Sequence, residues 1–263
     1  MKTLKKEELS LIYWLLKRDL IIFLRDYKGY LLNVIIWIII DVGIFAYVMP
    51  YFGLHANFGT FIAAGIVSSL GMFEAMHSAT LFVDDLENDK QVTYDLTLPI
   101  SSNLVFIQRA LLYTVRMILL SVFVVPISKV LFWYKVDLTH FSLYKFISMF
   151  LISNLMYGFF GLWMISFIKE MESIRNIWTR IIFPMWFLGG YQFSWQSMVA
   201  ISPILGYVAL INPITYIMEG ARVAIMGQAH YLNFWLCLGA IMLFALVFAF
   251  RGIYLLRKRL DTV

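Results

Sequence analysis

Four ionisable side chains fall inside long apolar stretches of this sequence: Asp41, Glu74, His77 and Arg116. A charged residue at mid-bilayer costs about 2.5 to 3.5 kcal/mol on the insertion scale, so each of them needs a partner or a task. Asp41 stands about 12 residues from the start of its apolar stretch and Arg116 about 12 from the start of its own. At about 1.5 Å per residue both lie near 18 Å depth. Glu74 and His77 lie on the stretch between and sit nearer its C-terminal end. The pattern predicts one polar cluster among the first three spans. Two chemistries are compatible with it: a buried Asp41–Arg116 ion pair, and a proton relay through all four groups.

Other chemistry is missing from the sequence. There is no HExxH zinc helix, no GxSxG elbow and no GxxxxGK[ST] phosphate loop. The four histidines, at 55, 77, 140 and 230, are not spaced to share a metal, and Cys237 is the single cysteine. The chain is therefore expected to bind no metal and no cofactor, and to be no enzyme and no ATPase itself.

The elements that must hold these groups are membrane helices. Of 263 residues 62% are apolar and only 14% charged, against about 25% in a soluble domain. Five stretches reach the roughly 20 residues that a hydrocarbon core of about 30 Å requires. They cover about 29–50, 58–83, 104–128, 146–168 and 231–254. A sixth span is expected over about 176–195. The segment 199–228, which contains Pro203, Gly206, Pro213, Gly220 and Gly227, reads as re-entrant or as short outer helices. The fold class is thus all-α and polytopic, with about six spans in one domain, 1–263.

Residues 1–28 place Leu9, Ile12, Tyr13, Leu16, Leu20, Phe23 and Leu24 on one helical face and Ser10, Lys17, Arg18, Arg25 and Lys28 on another. That is the pattern of an amphipathic helix at a lipid surface, and its scattered charges argue against a cleaved leader. The net charge of +5 sits at the ends of apolar runs, which points to membrane lipid and away from nucleic acid. With the N-terminus inside, sixteen of the 21 Lys and Arg fall in cytoplasmic connections and only Lys129, Lys135, Lys145 and Arg222 outside. Both termini are therefore expected in the cytoplasm. Trp133, Tyr134, Tyr144, Trp186, Tyr191 and Trp195 fall near the expected interfaces, as an aromatic belt would.

The longest charged connection, 84–103, reads DDLENDKQVTYDLTLPISSN and mixes acids with Val92, Tyr94, Leu96 and Leu98. A plain loop and a short helix for a soluble partner both fit that mixture. Further on, Asn212-Pro213 should start a helix, since Asn caps and Pro fixes φ without needing a donor. Glu219 and Arg222 follow at i, i+3 and are expected to form a surface ion pair at the outer interface, with a gating role there as the sharper possibility.

Two of these segments carry a family resemblance. LPISSNLVFIQRALL after an acidic stretch resembles the cytoplasmic loop and third-span entry of ABC type-2 permeases, with Glu87, Pro99, Ile100, Ser101 and Arg109 at the matching places. INPITYIMEGAR is similar to the Asn-Pro-Leu-Thr-Tyr…Glu-x-x-Arg signature before the last span of drug, lipid and polysaccharide exporters of that superfamily. The loop before it, GGYQFSWQSMVAISPILG, departs from the usual Gly-rich form by its aromatics.

The resemblance implies a permease subunit of the bacterial inner membrane that works as two copies with two cytoplasmic ATPase subunits, which alone use ATP and Mg. It implies that Asp85, Glu87, Lys90, Tyr94 and Leu96 couple to those ATPases, and that aromatics could line a path for sugars. The family-motif residues are Pro99, Ser101, Arg109, Asn212, Pro213, Glu219 and Arg222. A proton-coupled secondary transporter using Asp41, Glu74, His77 and Arg116 is the rival, and an intramembrane enzyme or scaffold finds no catalytic constellation.

Overall fold

The computed structural model describes residues 6–53, 58–168 and 170–260, with the side chains of Lys6 and Leu260 left aside. Lys2, Lys5, His55 and Lys169, and the chain from 261 on, lie outside the described residues. Among the described residues all regular structure is helical.

Helix α1 (Lys6–Arg25) leads into α2 (Tyr27–Gly43), which tightens through a π turn and a 3-10 turn to end at Phe52. Then come α3 (Phe58–Glu87), α4 (Gln91–Thr97), α5 (Ser102–Ser121), α6 (Val124–Leu131) and α7 (Leu143–Ile165). The third part of the chain forms α8 (Met171–Ile177), α9 (Phe183–Leu188), α10 (Trp195–Ile201), α11 (Pro203–Ala209), α12 (Pro213–Met226) and α13 (Phe234–Leu260). Five helical runs are long and apolar enough to span a membrane: Tyr27–Phe52, Phe58–Glu87, Ser102–Leu131, Leu143–Ile165 and Phe234–Arg259. The first three extend their expected spans at one or both ends, the fourth is shifted three residues towards the N-terminus, and the fifth starts three residues later and ends five later than expected.

The sixth span differs. The expected one over 176–195 is a short kinked run, α8 to α9, that carries Glu172, Arg175 and Arg180 and ends at Leu188. Its middle is a π turn, Trp178–Ile182, which ends two residues before the donorless Pro184. The sixth candidate is instead α11 with α12, a pair bent by 95°. Short, broken helices before the last span were expected in that region, and α10 to α12 are such helices.

Helix α3 is the axis of the bundle. Its apolar window is 89% buried, against 22% for α2 and 28% for α13. It can be enclosed because it is built from small residues, among them Ala63, Ala64, Ser68, Ser69, Gly71 and Ala75, which let neighbouring backbones approach closely. At Gly71 a Cβ would collide with the Tyr157 ring of α7, whose hydroxyl donates to the Ser68 carbonyl at 2.7 Å. The Ser68 and Ser69 hydroxyls return to carbonyls four residues back, so neither is stranded in the apolar interior. Helices α2 and α13 turn Leu32, Ile36, Ile40, Leu243, Leu246 and Phe250 outward, faces that suit lipid or another subunit.

Helix α1 leaves part of its expected apolar face exposed. Its buried side chains are Leu15, Asp19 and Phe23, one face at i, i+4 and i+8, whereas Leu9, Tyr13 and Leu24 are exposed. The apolar face is left for lipid, and a charged residue, Asp19, faces the bundle.

Candidate functional site

The short helix α4 closes the hairpin between α3 and α5 and is held from three directions. Asp85 at the end of α3 accepts from the Gln91 and Val92 amides at 3.1 and 2.8 Å, so its carboxylate caps the helix that follows. Lys90 makes the turn possible with a left-handed φ of 55°. Val92 and Asp95, at i and i+3, face inward and are buried, and Tyr94 between them is 64% exposed.

Asp95 is the centre of the arrangement. Its carboxylate accepts Arg18 Nη1 at 3.1 Å and Nη2 at 3.0 Å from α1, and Arg109 Nη2 at 2.7 Å from α5. Asp19 completes the ring: it accepts Arg18 Nε at 2.8 Å and Gln108 at 3.0 Å, with Arg109 at 3.5 Å. Burial works against the Arg18 charge, but its hydrogen bonds to Asp95 and Asp19 outweigh that and raise its pKa. Two acids and two guanidiniums thus join α1, α4 and α5 with no net charge. A cavity of about 260 Å³ opens beside them and runs as far as Arg116.

The expected coupling residues take different positions. Glu87 accepts from the Met171 amide at 3.2 Å and so ties α3 to the start of α8. Tyr94 faces outward. Leu96 does not: it is half-buried against the core, because Val92, Asp95 and Leu96 share the inner face of a seven-residue helix. Pro99 lies exposed in the bend after α4, and the Ser101 carbonyl accepts the first amides of α5. Asp95, Asp19 and Arg18 were not among the candidates from sequence. A signal for Asp95 exists, since an acid at i+3 from Val92 on so short a helix must share its apolar face.

The intramembrane charges pair differently from expectation. Arg116 does not meet Asp41; it bonds Glu74 at 2.7 Å and lies over the Phe23 ring at 4.7 Å. Asp41 accepts Trp37 Nε1 at 2.6 Å and the Tyr191 hydroxyl. His77 packs beside Tyr30 with Nε2 unbonded. The expected single cluster is therefore split in two. Helix α3 continues to Glu87, so Glu74 stands thirteen residues from the hairpin end while Arg116 stands fourteen from the start of α5. Their depths match, and Asp41 on α2 turns instead towards the residues after α9.

This pairing makes a mutational cycle predictable. Arg116 also borders the polar cavity, so Glu74→Gln is expected to cost about 1 to 3 kcal/mol, less than a fully dry pair would. Adding Arg116→Gln should restore part of the loss, whereas Asp41→Asn with Arg116→Gln should be additive within about 0.5 kcal/mol. Thermal unfolding of the purified variants measures both, and coupling of Arg116 to Asp41 instead of Glu74 would refute the assignment.

At the far end of the chain α12 begins as its sequence predicts. The Asn212 side chain accepts from the Ile214 amide at 3.0 Å, Pro213 opens the helix, and Asn212 Nδ2 donates to the Met185 carbonyl at 2.6 Å. Glu219 and Arg222 are no surface pair, however. Both are buried, 3.6 Å apart, and each holds backbone. Arg222 donates to the carbonyls of Gly190, Tyr191 and Phe193 at 2.6, 2.9 and 3.2 Å and lies 3.5 Å over the Phe61 ring. Glu219 accepts the Trp195 and Leu232 amides, both at 2.9 Å. Irregular backbone at this depth has to be satisfied by protein, and this pair does it. Arg222 is therefore no exposed cation, and Tyr191 leaves the aromatic belt, since it is buried with its hydroxyl on Asp41. Trp133, Tyr134 and Tyr144 are exposed as a belt requires.

Comparison with known proteins agrees with the helical architecture. No curated protein sequence matches the chain. The family model of the ABC-2 type transporter matches residues 10–226, from the first helix α1 through the last turn of α12. With that match over most of its length and its spanning helices, the chain belongs to the ABC-2 type transporter family and is a multi-pass membrane subunit of an ABC transporter.

Proposed function

We propose that this chain is the permease half of an ATP-driven exporter that moves a drug, lipid or glycan-type substrate out of the cytoplasm. Two copies form the path, and two separate ATPase subunits, which bind ATP and Mg, dock at the end of the bundle that carries α4. Both termini and α4 then lie on the cytoplasmic side of a bacterial inner membrane. The observation that carries this reading is the Asp95 network, because α4 presents Tyr94 to the outside and is bonded through Asp95 to α1 and α5 at once. A push on α4 is passed to two helices together, and α5 continues into the bundle beside α3. A proton relay would need a chain of bonds from Asp41 to the Glu74–Arg116 pair, and no hydrogen bond among the described residues makes that link.

Docking is tested at Tyr94. Truncating an exposed aromatic anchor is expected to cost about 1 to 3 kcal/mol, a loss of roughly fivefold to hundredfold in ATPase capture. Tyr94→Ala should therefore release the ATPase or uncouple its turnover from transport, with the permease still inserted. Leu96→Ala should lower stability instead, because that side chain packs inward. Glu87→Gln should have a smaller, salt-dependent effect. Crosslinks from cysteines along 87–94 to a co-expressed ATPase, with Cys237 first replaced by Ala, would locate the contact. Normal ATPase capture and transport by Tyr94→Ala would sink the docking assignment.

A further inference from the structure

The fully buried carboxylates among the described residues meet guanidinium groups: Glu74 meets Arg116, Asp19 and Asp95 meet Arg18 and Arg109, and Glu219 meets Arg222. Asp41 has no such partner among the described residues. It lies in the middle of the span Tyr27–Phe52, yet its hydrogen bonds come from two neutral donors, Trp37 and Tyr191, and both go to Oδ2. Neutral donors orient a carboxylate and lower its cost without cancelling its charge. A half-buried anion in a low-dielectric span attracts a cation more strongly than one in water does.

The surroundings are aromatic. The Trp37 and Phe73 rings stand 5.4 Å apart, Phe73 meets Trp178 at 5.7 Å and Trp186 at 5.3 Å, and Trp186 meets Tyr191 at 4.4 Å. Trp37, Phe73, Trp178 and Trp186 are only half-buried, and a groove of about 290 Å³ passes Trp37, four residues before Asp41 on the same helix, and Phe73 on its way to Glu74 and His77, with Asp41 just beyond its lining. The π faces of such rings attract cations, which adds to the carboxylate. An anionic ligand would meet repulsion from Asp41, so the same groups discriminate by charge.

We propose that Asp41 and the rings around it form a subsite for a hydrophobic organic cation, an amine or a quaternary onium ion. Asp41 supplies the counter-charge, Trp37 and Tyr191 fix its orientation, and Phe73 with Trp186 supplies the apolar wall. The subsite rests on the exporter reading only for its place on a transport path; binding is a property of this chain alone.

The test uses the purified full chain in lipid nanodiscs without ATPase, with equilibrium dialysis of tetraphenylphosphonium and of tetraphenylborate, which has the same shape and opposite charge. Empty nanodiscs correct for partition into lipid. Saturable binding of the phosphonium and none of the borate is expected. Asp41→Asn should weaken phosphonium binding by about tenfold or more, about 1.4 kcal/mol, while Asp41→Glu stays within about threefold. Absence of saturable phosphonium binding, equal binding of the borate, or unchanged affinity in Asp41→Asn would overturn the proposal. If Asp41→Asn does not yield folded protein, the comparison of the two ions on the unaltered chain decides. Co-purification of an ATPase is scored separately: its failure with cation binding intact removes the exporter reading and leaves the subsite, and the reverse removes the subsite alone.

Discussion

Asp95→Asn is expected to lower stability by about 3 to 5 kcal/mol and to uncouple α4 from the spans, although it changes a single atom type. The side chain is fully buried and its two oxygens take three charged hydrogen bonds. Asparagine keeps the shape, removes the charge and turns one acceptor into a donor aimed at a guanidinium. The two arginines then fare differently. Arg18 is 36% exposed and can turn to water, but Arg109 is nearly buried and keeps only Asp19, at 3.5 Å. Most of the cost is thus the stranded charge of Arg109, and Asp95→Asn combined with Arg109→Met should recover a large part of it. Stability is read from thermal unfolding in detergent, and coupling from ATPase turnover with and without substrate. A single mutant within about 1 kcal/mol of the parent, with coupling intact, would show that the network does not bear on α4.

Arg222→Met should be equally costly, about 3 to 5 kcal/mol, by a different route. Its guanidinium donates to three backbone carbonyls and faces Glu219, all inside the protein. Methionine fills the volume and donates nothing, so the turn 190–193 loses its donors and Glu219 is left uncompensated. Arg222→Lys should restore little, because one ammonium cannot present the planar fork that reaches Gly190, Tyr191 and Phe193 together. Glu219→Gln added to Arg222→Met should recover the part due to charge and leave the part due to the carbonyls. The loosened turn also frees Tyr191 from Asp41, so limited proteolysis near Gly190 should accelerate along with the fall in melting temperature. An Arg222→Lys variant as stable as the parent would show that the positive charge, not the fork geometry, is what matters there.

The place and apolar character of the five long spans could be read directly along the chain, because a bilayer imposes a local requirement, about 20 consecutive apolar residues in helix. The start of α12 was legible for the same reason, since the Asn212 cap, Pro213 and the capped Ile214 amide lie within three consecutive residues. Whereas the connection 84–103 fitted a plain loop and a short helix alike, and the structure makes it α4, the broken form of the segment before α13 follows from local propensities. Pairing does not. Residue counting placed Arg116 and Asp41 at one depth, but depth is a single coordinate, and the rotation of each helix decides which neighbour a side chain meets. That rotation comes from packing: small residues on α3 let α7 and α5 close in, and the result turns Arg116 to Glu74 and Asp41 to Tyr191. Asp95 stands in a charged connection and Asp19 on an amphipathic helix, and only the meeting of α1, α4 and α5 makes them one buried network with Arg18 and Arg109. Glu219 and Arg222 show the same limit, because a spacing of i, i+3 permits an ion pair but says nothing about burial. Whether such a pair is a surface contact or a clamp on distant backbone depends on what folds over it, and here Gly190 to Trp195 does.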